Sequence, residues 1–415
     1  MPEMPEPSSR GEPLHPVELV VLQGTSLCNL NCSYCDLSAA SRRSNSRMDS
    51  KLIKRLFSEL FASGRLAPQV TVVWHSGEPL TLPPSYYDQA IDLILGLKSA
   101  LVGDRISVKF DIQTNGVLID ESWCELFERH RDSLAVGISC DGPAELHDSY
   151  RRSWSDRPTH SRTTQGMNLL QQHGIKYKVI AVVSNKTLSQ ADAFFQFFQE
   201  RSEHLSGFHF NILAQAGAND PGLRYSAEDR GRYYAFYRRL LELSRRAEEP
   251  VGGLKIQNFS QALARIVASQ APDAPSYLEE TSAPLKALNV DARGNVTTFY
   301  AGLSVEVLPE LYGDGKGLCL GNIFEISLEE MVRSAKLERI RRDFEVSTRS
   351  CKASCEYFRV CSGGFELTKK QTLGTFEACE TDECVIHVKT LVDAVLDDLG
   401  EHLAREAETL PGAAS

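Results

Sequence analysis

The residues best suited to chemistry in this chain are its cysteines, eleven among 415 residues. Cys28-Asn29-Leu30-Asn31-Cys32-Ser33-Tyr34-Cys35 places three thiols in one short loop, while Cys351, Cys355, Cys361, Cys379 and Cys384 crowd a late stretch behind Cys319. A structural zinc ion normally takes four nitrogen or sulfur ligands, and no fourth cysteine or histidine accompanies the first three. A cubane iron–sulfur cluster held by three thiolates instead keeps one iron free for another ligand. The spacing therefore predicts two separate sites: a reactive one near the start, and a four-thiolate one near the end for which zinc is the bland alternative. Cys124 and Cys140, isolated between them, read as small packing residues.

The elements that must hold these thiols alternate along the chain. After a proline-rich lead-in over 1–17, short apolar runs near Leu19–Leu22, Val70–Trp74, Val108–Ile112, Leu134–Ser139, Lys178–Val183 and Gly207–Ile212 read as strands. Amphipathic stretches separate them, among them Met48–Ser63 with Asp49 as N-cap and Gly64 as terminator, Tyr86–Leu97 and Ala191–Phe198. Six such units predict an α/β fold, a partial (β/α)6 TIM-like barrel over 18–215 with its ligands at the carboxyl ends of the strands. A charged helical bridge follows over 216–285. The second cysteine domain spans 286–405, with short strands at Leu288–Phe299 and Gly317–Ile323 and helical periodicity resuming only at Val385–Leu399. Residues 406–415 read as a disordered tail.

Composition excludes some partners. With 45 Lys and Arg against 55 Asp and Glu the net charge is −10, which disfavours nucleic acid. No window reaches the roughly 18 consecutive apolar residues of a membrane helix, and no signal peptide is recognisable, so a cytoplasmic protein is expected. In that reducing compartment dense cysteines point to metal ligation or redox chemistry rather than disulfides.

The C-x3-C-x2-C loop with Tyr34 before its last cysteine resembles the signature of radical S-adenosylmethionine (SAM) enzymes. Trp74-His75-Ser76-Gly77-Glu78-Pro79 resembles the GGEP segment of that family, with Ser76 where glycine is usual. Gln113-Thr114-Asn115-Gly116 and Ser139-Cys140-Asp141-Gly142-Pro143 resemble two further segments of its peptide-modifying branch. The resemblance implies a [4Fe–4S] cluster on Cys28, Cys32 and Cys35 whose free iron chelates SAM. Reductive cleavage then gives methionine and a 5′-deoxyadenosyl radical, which takes a hydrogen atom from an unactivated carbon. It implies SAM contacts from Tyr34, Ser76, Gly77, Glu78, Pro79, Gln113, Asn115, Ser139, Asp141 and Arg151, with Glu78 on the ammonium, Ser139 and Asp141 near the ribose and carboxylate, and Arg152 the alternative to Arg151. His75 reads as packed at a strand end.

The later run resembles the SPASM extension of radical SAM peptide maturases, which in full form carries two auxiliary [4Fe–4S] clusters. Here Phe299 and Phe365 stand where the pattern has cysteines, which implies one auxiliary cluster, on Cys351, Cys355, Cys361 and, before the closing helix, Cys384 in preference to Cys379. Cys319 has no counterpart in the pattern. The whole is thus expected to be a radical SAM barrel followed by a C-terminal SPASM-type iron–sulfur domain, most similar to glycine-rich-repeat (Grr-type) maturases. These act on ribosomally made precursor peptides, draw electrons from an external flavodoxin- or ferredoxin-type reductant, and close cyclophane crosslinks. Formylglycine formation in a sulfatase is the competing activity, and a leader-binding scaffold without chemistry a third. Asp291, Glu279, Glu280 and Tyr300 are the candidate proton acceptors.

Overall fold

The structure is a computed structural model that describes residues 14–212, 224–247, 253–271, 282–298 and 308–409. Phe299, Tyr300, Glu279, Glu280 and most of the proline-rich lead-in lie outside the described residues. Its centre is one sheet. Strands β1 (Val17–Leu22), β2 (Leu66–Trp74), β3 (Ser107–Thr114), β4 (Leu134–Ser139), β5 (Tyr177–Val183) and β6 (Leu205–Ile212) pair in sequence order, all parallel. The helices between them cover the outer face: α1 (Ser50–Ala62), α2 (Pro84–Leu101), α3 (Glu121–Arg129), α4 (Ala144–Tyr150), α5 (His160–Gln172), α6 (Asn185–Leu188) and α7 (Ala191–Gln199). Parallel strands covered on both faces must be apolar on both, and Val20, Val21 and Leu22 are all fully buried.

Local signals explain the element ends. Asp49 accepts a hydrogen bond from the Leu52 amide at 2.8 Å and so starts α1. Leu52, Ile53, Leu56, Phe57, Leu60 and Phe61 form its buried stripe, and Gly64 takes φ +66° to end it.

Two features of the later chain differ from the sequence reading. First, β7 (Ala287–Val290) does not begin a detached sheet; it pairs in parallel with β1 on the side away from β2, and β8 (Asn295–Thr297) and β9 (Cys319–Asn322) extend the sheet antiparallel. Second, helical structure resumes long before Val385, in α10 (Leu328–Val332) and the 20-residue α11 (Ala335–Ser354). The buried stripe of α11 is Leu337, Ile340, Phe344, Ser347 and Cys351, whose lower half is not apolar and so escapes a hydrophobic count.

The bridge contains α8 (Arg230–Ala247) and α9 (Gln257–Ala268). An aromatic cluster joins them to the barrel, with Phe198 4.5 Å from Phe208 and Phe210 stacked 5.9 Å from Tyr237 between ring centroids. Short helices α12 (Phe358–Cys361), α13 (Glu366–Leu373) and α14 (Asp382–Cys384) carry the late cysteines, and a π-helical turn over Val385–Lys389 leads into α15 (Thr390–Thr409). The bridge grips this region directly: Tyr225 shares a 2.9 Å hydrogen bond with His387 Nε2, and the Asp382 carboxylate accepts from the Ala227 amide. No helix among the described residues is long and apolar enough to cross a membrane.

Candidate active site

Register puts the loops after successive strands on one rim. Leu22 lies opposite both Trp74 and Val290, Trp74 opposite Ile112, and Thr114 opposite Ile138. The cysteine loop follows β1 on that rim, where the carboxyl ends of parallel strands gather ligands. Backbone bonds, one aromatic side chain and two basic ones shape it. The Cys28 amide donates to the Arg42 carbonyl at 2.9 Å, the Asn31 amide to the Arg152 carbonyl at 2.7 Å, and Trp154 Nε1 to the Cys28 carbonyl at 2.9 Å. Buried Arg42 donates through Nε to the Leu37 carbonyl, and its guanidinium and that of Arg43 lie over the Trp154 ring. Neither Arg42 nor Trp154 was legible as a site residue, since nothing in its spacing sets it apart from other Arg and Trp.

The segment after β2 is built to pass close to this loop. Gly77 has φ +71°, and a Cβ there would sit 2.6 Å from the Thr25 carbonyl oxygen and 2.8 Å from that of Ser26. Ser76, in place of the usual glycine, is held at φ +72°, a strained left-handed conformation for a residue with a side chain. Gly77→Ala should therefore cost about 3 kcal/mol of stability and push the cysteine loop outward. Gly64→Ala has similar φ strain but nothing within 4 Å, and serves as the control at about 1 kcal/mol. Thermal denaturation of both variants checks the difference, and equal losses would show that the close approach does not matter.

The predicted contact residues converge on this rim, but several are committed within the protein. Glu78 is buried and accepts from the Leu80 amide at 2.9 Å, Thr114 Oγ1 at 2.6 Å and the Asn115 amide at 2.8 Å. Burial raises its pKa, and those three bonds oppose the rise. Asn115 Nδ2 also donates to Asn29 Oδ1 in the cysteine loop at 2.7 Å, and Gln113 Nε2 donates to Ser139 Oγ at 3.0 Å. Pro79 opens a 3-10 turn and its carbonyl accepts from Tyr87. Asp141 is the most heavily used. Its Oδ2 accepts from Tyr34 Oη at 2.5 Å and Arg151 Nε at 3.0 Å, and its Oδ1 from the Val182 amide at 2.9 Å. The structure thus gives Asp141 to the task of fastening Tyr34, and with it the cysteine loop, to β5. Arg151 is buried beside it and lies over the Tyr34 ring, whereas Arg152 turns outward to Asp156. His75 is enclosed, and burial lowers its pKa to about 4, so it is neutral near pH 7.

Burial raises all three thiols of the loop. Cys28 is raised further by the nearby Glu78 charge; Cys32 reaches about 11 against the opposing pull of Arg151, and Cys35 is opposed by Arg42. Thiols so placed become thiolates when a cation binds them, and the buried guanidiniums of Arg42 and Arg151 help carry the charge. This donor set fits a cubane cluster with one open iron. Asp36, next in the chain, is exposed, and the charge of Glu383, the residue before Cys384, opposes its ionisation. The end of the first cysteine loop therefore lies within electrostatic reach of the second cysteine group.

In that second group Cys351, Cys355, Cys361, Cys379 and Cys384 line one hollow, with Tyr357 and Phe365 in its wall. Cys379 lines it together with Cys384, and its carbonyl accepts from Cys351 Sγ, so both late cysteines face the hollow. Burial pushes Cys384 up to about 12, with Cys361 the next cause. The chain wraps the hollow through four consecutive residues of positive φ, Ser362, Gly363, Gly364 and Phe365, two of them without glycine's freedom. Five thiols around one cavity exceed the four that a cubane cluster needs, and the donor set fits it. Cys319 stands apart on β9, its thiol bonded to the Gly321 carbonyl at 3.5 Å. Asp291 is spent in its own turn, accepting from the Arg293 and Asn295 amides and from Asn295 Nδ2.

Residues 22–198 match the family model of the Radical SAM superfamily. An uncharacterised protein of Synechocystis sp. is 29% identical over 390 residues, 94% of this chain and 93% of that one. A serine-type anaerobic sulfatase-maturating enzyme of Bacteroides thetaiotaomicron is 33% identical over 197 residues, 46% of each chain. Among solved structures, anSMEcpe with bound AdoMet superimposes with a TM-score of 0.72 at 18% identity, covering 95% of this chain and 96% of that one. Streptococcus suis SuiB bound to precursor peptide SuiA gives a TM-score of 0.57 at 18% identity, over 86% of this chain and 73% of that one. At these identities the structural likeness is one of fold. The chain thus shares its fold with anSMEcpe and SuiB, and the stretch that matches the Radical SAM superfamily model, residues 22–198, holds the first cysteine loop and five of the six parallel barrel strands in whole or part.

Proposed function

We propose that this protein modifies a ribosomally made precursor peptide by joining two of its side chains through a carbon–carbon bond, closing a cyclophane. The observation that carries the reading is the second cysteine group, which offers one hollow of thiols with Phe365 in its wall. That matches a maturase with a single auxiliary cluster better than the full two-cluster pattern associated with formylglycine formation. When bound, the first cluster and SAM would supply the 5′-deoxyadenosyl radical. Cys28, Cys32 and Cys35 would hold that cluster; Glu78 and Asn115 would shape the SAM pocket from the rims of β2 and β3; Asp141 and Arg151 would fix the loop through Tyr34. The crosslink removes two hydrogens from the peptide, one as an atom that ends in 5′-deoxyadenosine and one as a proton. The single remaining electron goes to an acceptor, for which the second cysteine group is the candidate. A flavodoxin- or ferredoxin-type reductant would supply the electron that starts each turnover.

Formylglycine formation is the second reading, favoured by the 33% identity to a sulfatase-maturating enzyme over the radical SAM half. Mass spectrometry of a precursor peptide encoded beside this gene, after co-expression, separates the two. A crosslinked product should lose two hydrogens and stay inert to a hydrazide. An aldehyde on a sulfatase serine or cysteine, captured by that reagent, would replace the proposal.

A further inference from the structure

We propose that Lys369 is the charged hydrogen-bond donor that sets how readily the second cysteine site accepts an electron, acting through the sulfur of Cys351. This rests on reading that site as an iron–sulfur site. Lys369 lies on α13 and is 1% exposed, rare for a lysine, because an ammonium loses its hydration on burial unless an anion or several acceptors replace the water. Its Nζ donates to Ser347 Oγ at 2.7 Å and to Cys351 Sγ at 3.1 Å. Ser347 and Cys351 are four residues apart on α11, one turn, so both face the same point.

Among the described residues no carboxylate forms an ion pair with Lys369. Glu366, one turn back on α13 and equally buried, accepts from Ser282 Oγ at 2.7 Å and reaches the lysine through its charge and through Ser347, which stands between them. Among the described residues the sulfur of Cys351 is the group in direct contact with Lys369 that can carry a compensating charge, and it carries one when it ligates a metal.

The direction of the effect follows from charge. A cubane with four thiolates goes from net −2 to net −3 when it takes up one electron, and a cation hydrogen-bonded to a ligand sulfur favours the more negative state. Net charge and hydrogen bonds to the sulfurs are among the determinants of such potentials. Lysine at 369 should thus make the site a better one-electron acceptor than a neutral residue there would.

The test uses the full chain with Cys28, Cys32 and Cys35 replaced by alanine, so that only the second site holds iron, and follows its reduced signal by electron paramagnetic resonance at poised potentials. In that parent, Lys369→Met should lower the ratio of reduced to oxidised site about tenfold at a fixed poise, which is 59 mV for a one-electron couple, while Lys369→Arg stays near the parent. An iron-loaded Lys369→Met variant that titrates with the parent overturns the proposal. A second measurement needs no substitution at 369: with lysine carrying heavy nitrogen, the pulsed resonance spectrum of the reduced parent should show a coupling from the labelled nitrogen, and its absence overturns the proposal even if the methionine variant does not fold. A parent with no iron at the second site overturns the reading of the site, and the proposal with it.

Discussion

Replacing Cys28, Cys32 and Cys35 together by alanine should reduce formation of 5′-deoxyadenosine from SAM to the level of a protein-free control, a loss of more than about a hundredfold. Even residues one step removed from a metal typically cost 10–100-fold when changed, and the ligands themselves cost more. Anaerobic reconstitution of the same variant should hold about four irons per chain where the parent holds about eight, because each cubane contributes four. The two measurements are independent. Continued 5′-deoxyadenosine formation would sink the catalytic assignment of the loop, whereas a parent holding only about four irons would sink the assignment of the second site.

Asp141→Ala should be the most destabilising single substitution on the rim. The buried carboxylate answers three donors at once, and its loss leaves the Arg151 guanidinium enclosed with no counter-charge on that side. Breaking a buried pair by removing one partner costs about 3–5 kcal/mol. At roughly 2–4 °C per kcal/mol, melting should fall by about 10 °C, read by scanning calorimetry. Replacing Arg151 by Met as well removes the stranded charge and should recover part of the loss, as coupled neighbours do. An Asp141→Ala protein that melts with the parent would show that the Tyr34–Asp141–Arg151 contacts add little to stability.

The first cysteine loop could be read from the sequence because its whole signal is local: three thiols, an aromatic and a preceding strand within a few turns of chain. The six barrel strands were legible for a related reason, since burial on both faces leaves short continuous apolar runs such as that of β1. What escaped was set by distant partners. The apolar run of β7 was recognisable as a strand, but nothing local says that it pairs with β1. The helix α11 hid because Ser347 and Cys351 occupy its inner stripe, and they do so because Lys369, not a core, waits on the other side. Asp141 was legible as a polar residue at a strand end. That its oxygens are already taken by Tyr34, Arg151 and Val182 required the fold.

The pairing of β1 with β7 also governs how the chain comes off the ribosome. β1 is synthesised among the first residues of the fold, yet its second neighbour follows about 270 residues later, on the order of 15–50 s at ordinary rates of translation. Through that interval the edge of β1 presents unpaired amides along an apolar strand, the kind of edge that recruits other chains. A fragment that ends before Ala287 never closes that edge, so expressing the six-stranded barrel alone should yield aggregates. The C-terminal region is in this sense a folding partner for the strand that leads into the first cysteine loop.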